Sequence, residues 1–128
     1  MRLLLDTHVA LWALLDDVRL PARARALIAD EANSVAVSVA SVWEIAIKHS
    51  LQRGDMPVTG AQALHWFRRA GYALLDIKPE HAVAVESLPP LHADPFDRLL
   101  VAQALTEPLH LLTHDAAVAC YSDAIELV

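Results

Sequence analysis

The chain is short of the residues that several large protein classes need. Its single cysteine, Cys120, excludes an intramolecular disulfide framework, a zinc finger and a CxxC redox pair. Such sparing use of cysteine fits a reducing cytoplasm. The three glycines, Gly54, Gly60 and Gly71, are too few and too scattered to build a P-loop or a dinucleotide fingerprint, so nucleotide-cofactor folds of those types are out. Long apolar runs are also missing. Val9 to Leu15 lies between Asp6 and the Asp16-Asp17 pair, too short and too charged at its edges for a membrane span or a signal peptide. Basic charge is scarce: 10 Lys and Arg face 16 Asp and Glu, a net charge of −6. Taken whole, that balance argues against a nucleic-acid partner, since phosphate binding leaves a basic footprint.

What is present describes a folding chain. An apolar fraction of 55% with 20% charged residues excludes intrinsic disorder. A chain of 128 residues reads as one domain spanning residues 1–128. At this size it buries roughly two-thirds of its unfolded surface without staples. Met1-Arg2-Leu3-Leu4-Leu5 predicts a strand buried on both faces, and a helix follows over 7–15. Pro21 opens an alanine-rich helix, Ser34–Ser38 predicts a second strand, and Ser41–Lys48 a helix with Gly54 as its C-cap. Helix over 60–70, strand over Tyr72–Ile77 and helix over 79–87 come next, the last broken by Pro89-Pro90. Asp94 starts a strong helix, Leu109–Thr113 is a strand, Asp115–Tyr121 a short helix and Ala124–Val128 a closing strand. Short apolar strands alternating with helices predict an α/β fold, a parallel sheet covered on both faces. Function in such sheets sits beyond the carboxyl ends of the strands.

Acids gather at that end. Asp6 and Asp115 follow predicted strands, and Asp97 and Glu44 ride helices that can point the same way. Converging carboxylates repel and require a cation; all-oxygen sites suit Mg²⁺ or Mn²⁺ rather than zinc. The chemistry of such a cluster is metal-assisted phosphodiester hydrolysis, with two ions ~3.5–4 Å apart. Each residue also has a structural reading. Asp6 and Asp115 can cap helices, Asp94 is an N-cap before Pro95, and Asp97 favours the helix dipole. Glu44 has Lys48 at i+4, the default being a solvated pair. His8, His92 and His114 each lie near a candidate acid and can contact phosphate or support a ligand. Arg98 can touch phosphate or form an ion pair. Thr7 and Thr113 adjoin the strand-terminal aspartates, where their hydroxyls hold an aspartate or a water, or bond local backbone. Trp12, Trp43 and Trp66 fit core or interface positions better than base-stacking ones. Serines and Cys120 form no nucleophile motif.

Four segments carry a resemblance: Leu3–His8, Ser41–Lys48, His92–Ala104 with its His-Ala-Asp-Pro-Phe-Asp-Arg start, and Leu111–Asp115. In order and spacing they resemble the successive motifs of PIN-domain proteins, most closely the VapC-type toxins of toxin–antitoxin pairs, over nearly the whole chain. The resemblance implies a three-layer α/β/α fold with a short central parallel sheet. It implies a Mg²⁺- or Mn²⁺-dependent endoribonuclease in the cytoplasm, usually dimeric and silenced by a cognate antitoxin. The family's acidic quartet maps onto Asp6, Glu44, Asp97 and Asp115, with Asp6 and Asp97 as main metal ligands and Asp94 as a secondary candidate. Thr7, His92, Arg98 and Thr113 are the expected substrate contacts. A haloacid-dehalogenase-like phosphatase would need a second aspartate where His8 stands. A non-catalytic PIN-like binding module is the competing expectation.

The quartet also changes the reading of the charge. Setting aside Asp6, Glu44, Asp94, Asp97 and Asp115 leaves 11 acids against 10 bases. Most of the −6 then belongs to the candidate site, where divalent ions would attract phosphate. Arg68, Arg69 and Arg98 are the basic residues left to hold a strand.

Overall fold

A computed structural model describes residues 1–52 and 56–128. Leu3, Leu4 and Leu5 are wholly inaccessible to solvent, as a strand covered on both faces requires, and they form β1 (Arg2–Leu5) at the middle of the sheet. Leu3 and Leu5 pack with Val9, Val37, Phe67 and Leu112 in one core cluster. Leu4 faces the other way, into a second cluster with Leu100, Val101 and Leu111. This two-sided burial sets the layers.

The remaining strands are β2 (Ser34–Ser38), β3 (Ala73–Leu75), β4 (His110–Thr113) and β5 (Ile125–Leu127). All pairings are parallel, in the order β3-β2-β1-β4-β5. The helices are α1 (Thr7–Leu14), α2 (Ala22–Ala29), α3 (Val39–Ser50), α4 (Gly60–Arg69), α5 (Pro79–Ala84), α6 (Pro95–Thr106) and α7 (Ala116–Ala119). The three-layer α/β/α expectation is therefore met. The chain runs outward from β1 through β2 to β3, then crosses back to place β4 on the other side of β1. That reversal leaves a crevice beyond the carboxyl ends of β1 and β4.

Local chemistry explains most boundaries. Asp94 caps α6 and Pro95 occupies its first turn, as expected. Thr59 and Gln62 close a capping box on α4. Three expectations shift. The helix over 79–87 ends at Ala84 and tightens into a 3₁₀ turn over Val85–Ser87. The strand over 72–77 shrinks to three residues, since Asp76 and Ile77 are exposed at the edge of the sheet. Helix α3 starts earlier, with Ser38 as N-cap, and ends at Ser50 with Leu51 as C-cap; Gly54, its expected stop, lies outside the described residues.

Between α5 and α6 a fully buried histidine is held on both sides. His81 Nδ1 accepts from the Lys78 amide at 3.0 Å, so Nε2 carries the proton and donates to Glu107 Oε2 at 2.7 Å. Among the described residues no helix is long and apolar enough to cross a membrane.

Candidate active site

Two backbone features aim acids into the crevice. Asp6 is the first residue beyond β1; its amide donates to Leu112 O at 3.0 Å, and its Oδ1 accepts from the Val9 amide at 2.8 Å. The carboxylate is thus both a cap for α1 and a fixture of the sheet edge. Burial pushes its pKa up, against hydrogen bonds from the Thr113 side chain and the Val9 amide. Asp115 follows β4 and caps α7 through Oδ1, accepting from Ala117 at 2.8 Å, which leaves Oδ2 facing the site. The capping readings of both residues hold, and capping is how they are oriented.

Asp97 sits in the first turn of α6, its amide bound to Asp94 Oδ1 at 3.0 Å. Its Oδ2 lies 2.8 Å from His92 Nε2, which is 3.7 Å from Asp115 Oδ2. Desolvation pushes the Asp97 carboxyl up to about 6, with Asp94, Asp6 and Glu44 adding repulsion and the His92 hydrogen bond opposing it. Asp94, Asp6 and Glu44 are thus close enough to act on Asp97. Asp94 stands at the edge of this group, with one oxygen spent on its cap.

Glu44 departs from the solvated-pair expectation. It does meet Lys48, Nζ to Oε2 at 2.5 Å, but its side chain is only 3% exposed. Thr7 donates to Oε1 at 2.6 Å, and Ser41 Oγ lies 2.9 Å from the Thr7 hydroxyl. An ionised carboxylate this deep must be paired on both oxygens, and it is.

The expected substrate contacts separate into two groups. His92 stands within the acidic group. Thr7 and Thr113 are buried, their hydroxyls committed to Glu44, to Asp6 and to the Asp115 amide, which makes them supports for the acids. Arg98 spends its guanidinium on the carbonyls of Pro89 at 3.1 Å, Val85 at 3.3 Å and Leu88 at 3.4 Å, and on Tyr121 Oη at 3.0 Å. Tyr121 Oη in turn accepts from the His92 amide at 3.0 Å. Arg98 and Tyr121 therefore fix the segment that delivers His92. The role of Tyr121 was missed because it depends on a contact 29 residues apart, which no local pattern announces. Arg68 and Arg69 sit in the last turn of α4 and do not line the cavity described next.

One ring nitrogen of His92 and one oxygen each of Asp97 and Asp115 all lie within 4.8 Å of one another, close enough to share a cation. Asp97 and Asp115 border a cavity of about 480 Å³ that is also lined by Asp6, His8, Trp12 and His114. Two carboxylates and an imidazole, with Asp6 in the same cavity, suit a hard or borderline divalent ion. Mg²⁺ fits the oxygens, and Mn²⁺ accepts the nitrogen as well. Burial is the main cause of the raised Asp97 pKa, and the neighbouring carboxylates add to it.

A family profile for the PIN domain matches residues 3–122. Among solved structures the chain is similar to one described as the crystal structure of VapBC2 from Rickettsia felis bound to a DNA fragment from their promoter. The TM-score is 0.67 at 16% sequence identity, over 98% of this chain and 96% of that chain, a likeness of fold. No curated protein matches.

Proposed function

Because the chain belongs to the PIN-domain family, we propose that it is a Mg²⁺- or Mn²⁺-dependent endoribonuclease and the toxin of a toxin–antitoxin pair, with residues 1–128 working as one domain. The observation that carries this reading is the convergence of Asp6, Asp97 and Asp115 on one cavity, where burial first, and then repulsion from Asp94, Asp6 and Glu44, raises the Asp97 carboxyl to about 6. Such an arrangement is costly in a purely structural role and natural in one that takes up a cation.

When bound, the ion supplies charge neutralisation at the phosphate and activates water for attack. Asp6 and Asp97 are the main ligands, Asp115 and Glu44 complete the site or orient water, and Asp94 can assist through its uncapped oxygen. Lys48 and Thr7 clamp the two Glu44 oxygens, so that carboxylate keeps one orientation. His92 can contact substrate phosphate from its place between Asp97 and Asp115. Thr7, Thr113 and Arg98 act on substrate through the groups they hold. The likeness to VapBC2 supports a cognate antitoxin as partner; RNA, a second copy of the chain and a cytoplasmic location are proposed beside it.

Purified, antitoxin-free protein should cleave single-stranded RNA with Mg²⁺ or Mn²⁺, lose that activity with EDTA, and lose it in Asp97→Asn with the fold retained. Cleavage that persists in EDTA, or none across a broad RNA panel with either ion, would count against the enzyme and favour a binding module. Expression alone should arrest growth, and the adjacent reading frame should relieve the arrest.

A further inference from the structure

The cavity has a second set of lining side chains, His8, Trp12 and His114, which the acidic cluster does not use. Trp12 lies between the two imidazoles, its ring centroid 6.0 Å from His8 and 5.5 Å from His114, the latter edge-on. Arg19, paired with Asp17, lies over the indole at 5.7 Å. His114 donates from Nδ1 to Val128 O at 2.6 Å, which pins its ring and leaves Nε2 as the acceptor of the neutral form. The indole is only partly buried, one side packed against the core cluster that holds Leu11.

We propose that His8, Trp12 and His114 form a nucleobase subsite. An unpaired nucleotide places its base against Trp12 while its phosphate meets the Asp6, Asp97 and Asp115 group. The inference rests on the phosphodiesterase reading and adds to its phosphate contact a contact with the base. Three observations carry it. The aromatic and acidic side chains line the same cavity, so a ligand reaching one group adjoins the other. The cavity volume falls in the range of small-molecule sites, roughly 300–1,000 Å³. A planar indole flanked by pinned and unpinned imidazoles offers both a stacking face and nitrogens for base edges, which an aliphatic wall would not. A base still paired in a duplex is stacked out of reach, whereas an unpaired one can be splayed onto an aromatic side chain. Because every base has a π-face, such a platform is tolerant of sequence.

The test uses nucleoside 5′-monophosphates, which contain no phosphodiester bond and bind without being consumed. Trp43→Phe with Trp66→Phe leaves Trp12 as the only indole of three. With Mn²⁺ present, the four monophosphates should quench Trp12 fluorescence saturably, and ribose 5-phosphate should not. Trp12→Leu, followed by calorimetry, should weaken nucleotide binding about tenfold, within the roughly five- to 150-fold that base stacking carries. If Trp12→Leu fails to fold, His114→Ala and Trp12→Phe replace it, with weakening expected in the first and near-retention in the second. Ribose 5-phosphate binding as tightly as the nucleotides, no saturable quenching, or affinities unchanged in both Trp12→Leu and His114→Ala would overturn the subsite. Failure of RNA cleavage alone would not, since nucleotide binding is read without hydrolysis.

Discussion

Two buried polar regions of this molecule are built on opposite principles. Around His81 every charge has a complement: the imidazole donates to Glu107 and accepts from the Lys78 amide, and Lys78 Nζ lies 3.3 Å from Glu107 Oε2. The His81 hydrogen bond, with help from Lys78, holds the Glu107 carboxyl below its ordinary range. Around Asp97 like charges gather, and desolvation and repulsion raise the carboxyl to about 6. The first region fastens α5 to α6, and its charges are balanced by the fold alone. The second is left with excess negative charge by the same fold. The difference teaches where to look for a ligand: the region the protein does not neutralise for itself.

The largest effect that would break this comparison is on activity. Asp97→Asn or Asp6→Asn should cut RNA hydrolysis on the order of 10²-fold or more, because a catalytic ion contributes several kcal/mol to the transition state. His81→Ala should leave the chemistry per folded molecule nearly unchanged. Stability should show the reverse. His81→Ala opens a cavity at a wholly buried position and strands its partners, costing about 2–4 kcal/mol in denaturant unfolding.

Asp97→Asn should stabilise the metal-free protein at neutral pH, on the order of 2 kcal/mol with allowance for the partly exposed side chain. The folded state binds the Asp97 proton more tightly than the unfolded chain, so this group subtracts stability as pH rises from about 4 to about 6. Melts across that window should show the variant gaining on the wild type, level at the acid end and ahead above pH 6. Glu107→Gln should run the other way. A depressed carboxyl contributes stability above its ordinary value, 4.5, and loses it as pH falls, so that variant should be the weaker at neutral pH and converge with the wild type in acid. Parallel curves for the two variants would erase the distinction. The smallest effect belongs to Asp94→Ala, which removes the α6 cap for about 1 kcal/mol and loosens the turn that presents Asp97.

The centre of the sheet was legible because β1 and β4 are short, largely apolar and buried on both faces. Edges were harder. The strand over 72–77 and the helix over 79–87 are trimmed by exposure and by a 3₁₀ turn, both set by neighbours rather than by local pattern. At the site, the positions of Asp6 and Asp115 after strands, and of Asp97 in a helix start, were legible from punctuation. Burial was not. Glu44 with Lys48 at i+4 reads as a solvent pair until Thr7, 37 residues away, closes over it. Arg98 reads as a phosphate contact or half of an ion pair until five backbone and side-chain oxygens are found around it. Trp12 reads as core until the cavity beside it is seen.

The proposed function requires that the Asp6, Asp97 and Asp115 group receive a divalent cation. The most direct measurement is the melting temperature of chelator-treated protein titrated with Mn²⁺ at neutral pH, beside Asp97→Asn. A ligand that binds only the native state must raise that temperature with concentration. The account predicts a saturable rise in the wild type, little or none in Asp97→Asn, and a smaller rise in the wild type below pH 6, where protons compete for Asp97. A melting temperature indifferent to Mn²⁺ and Mg²⁺, or an equal rise in the variant, would contradict it.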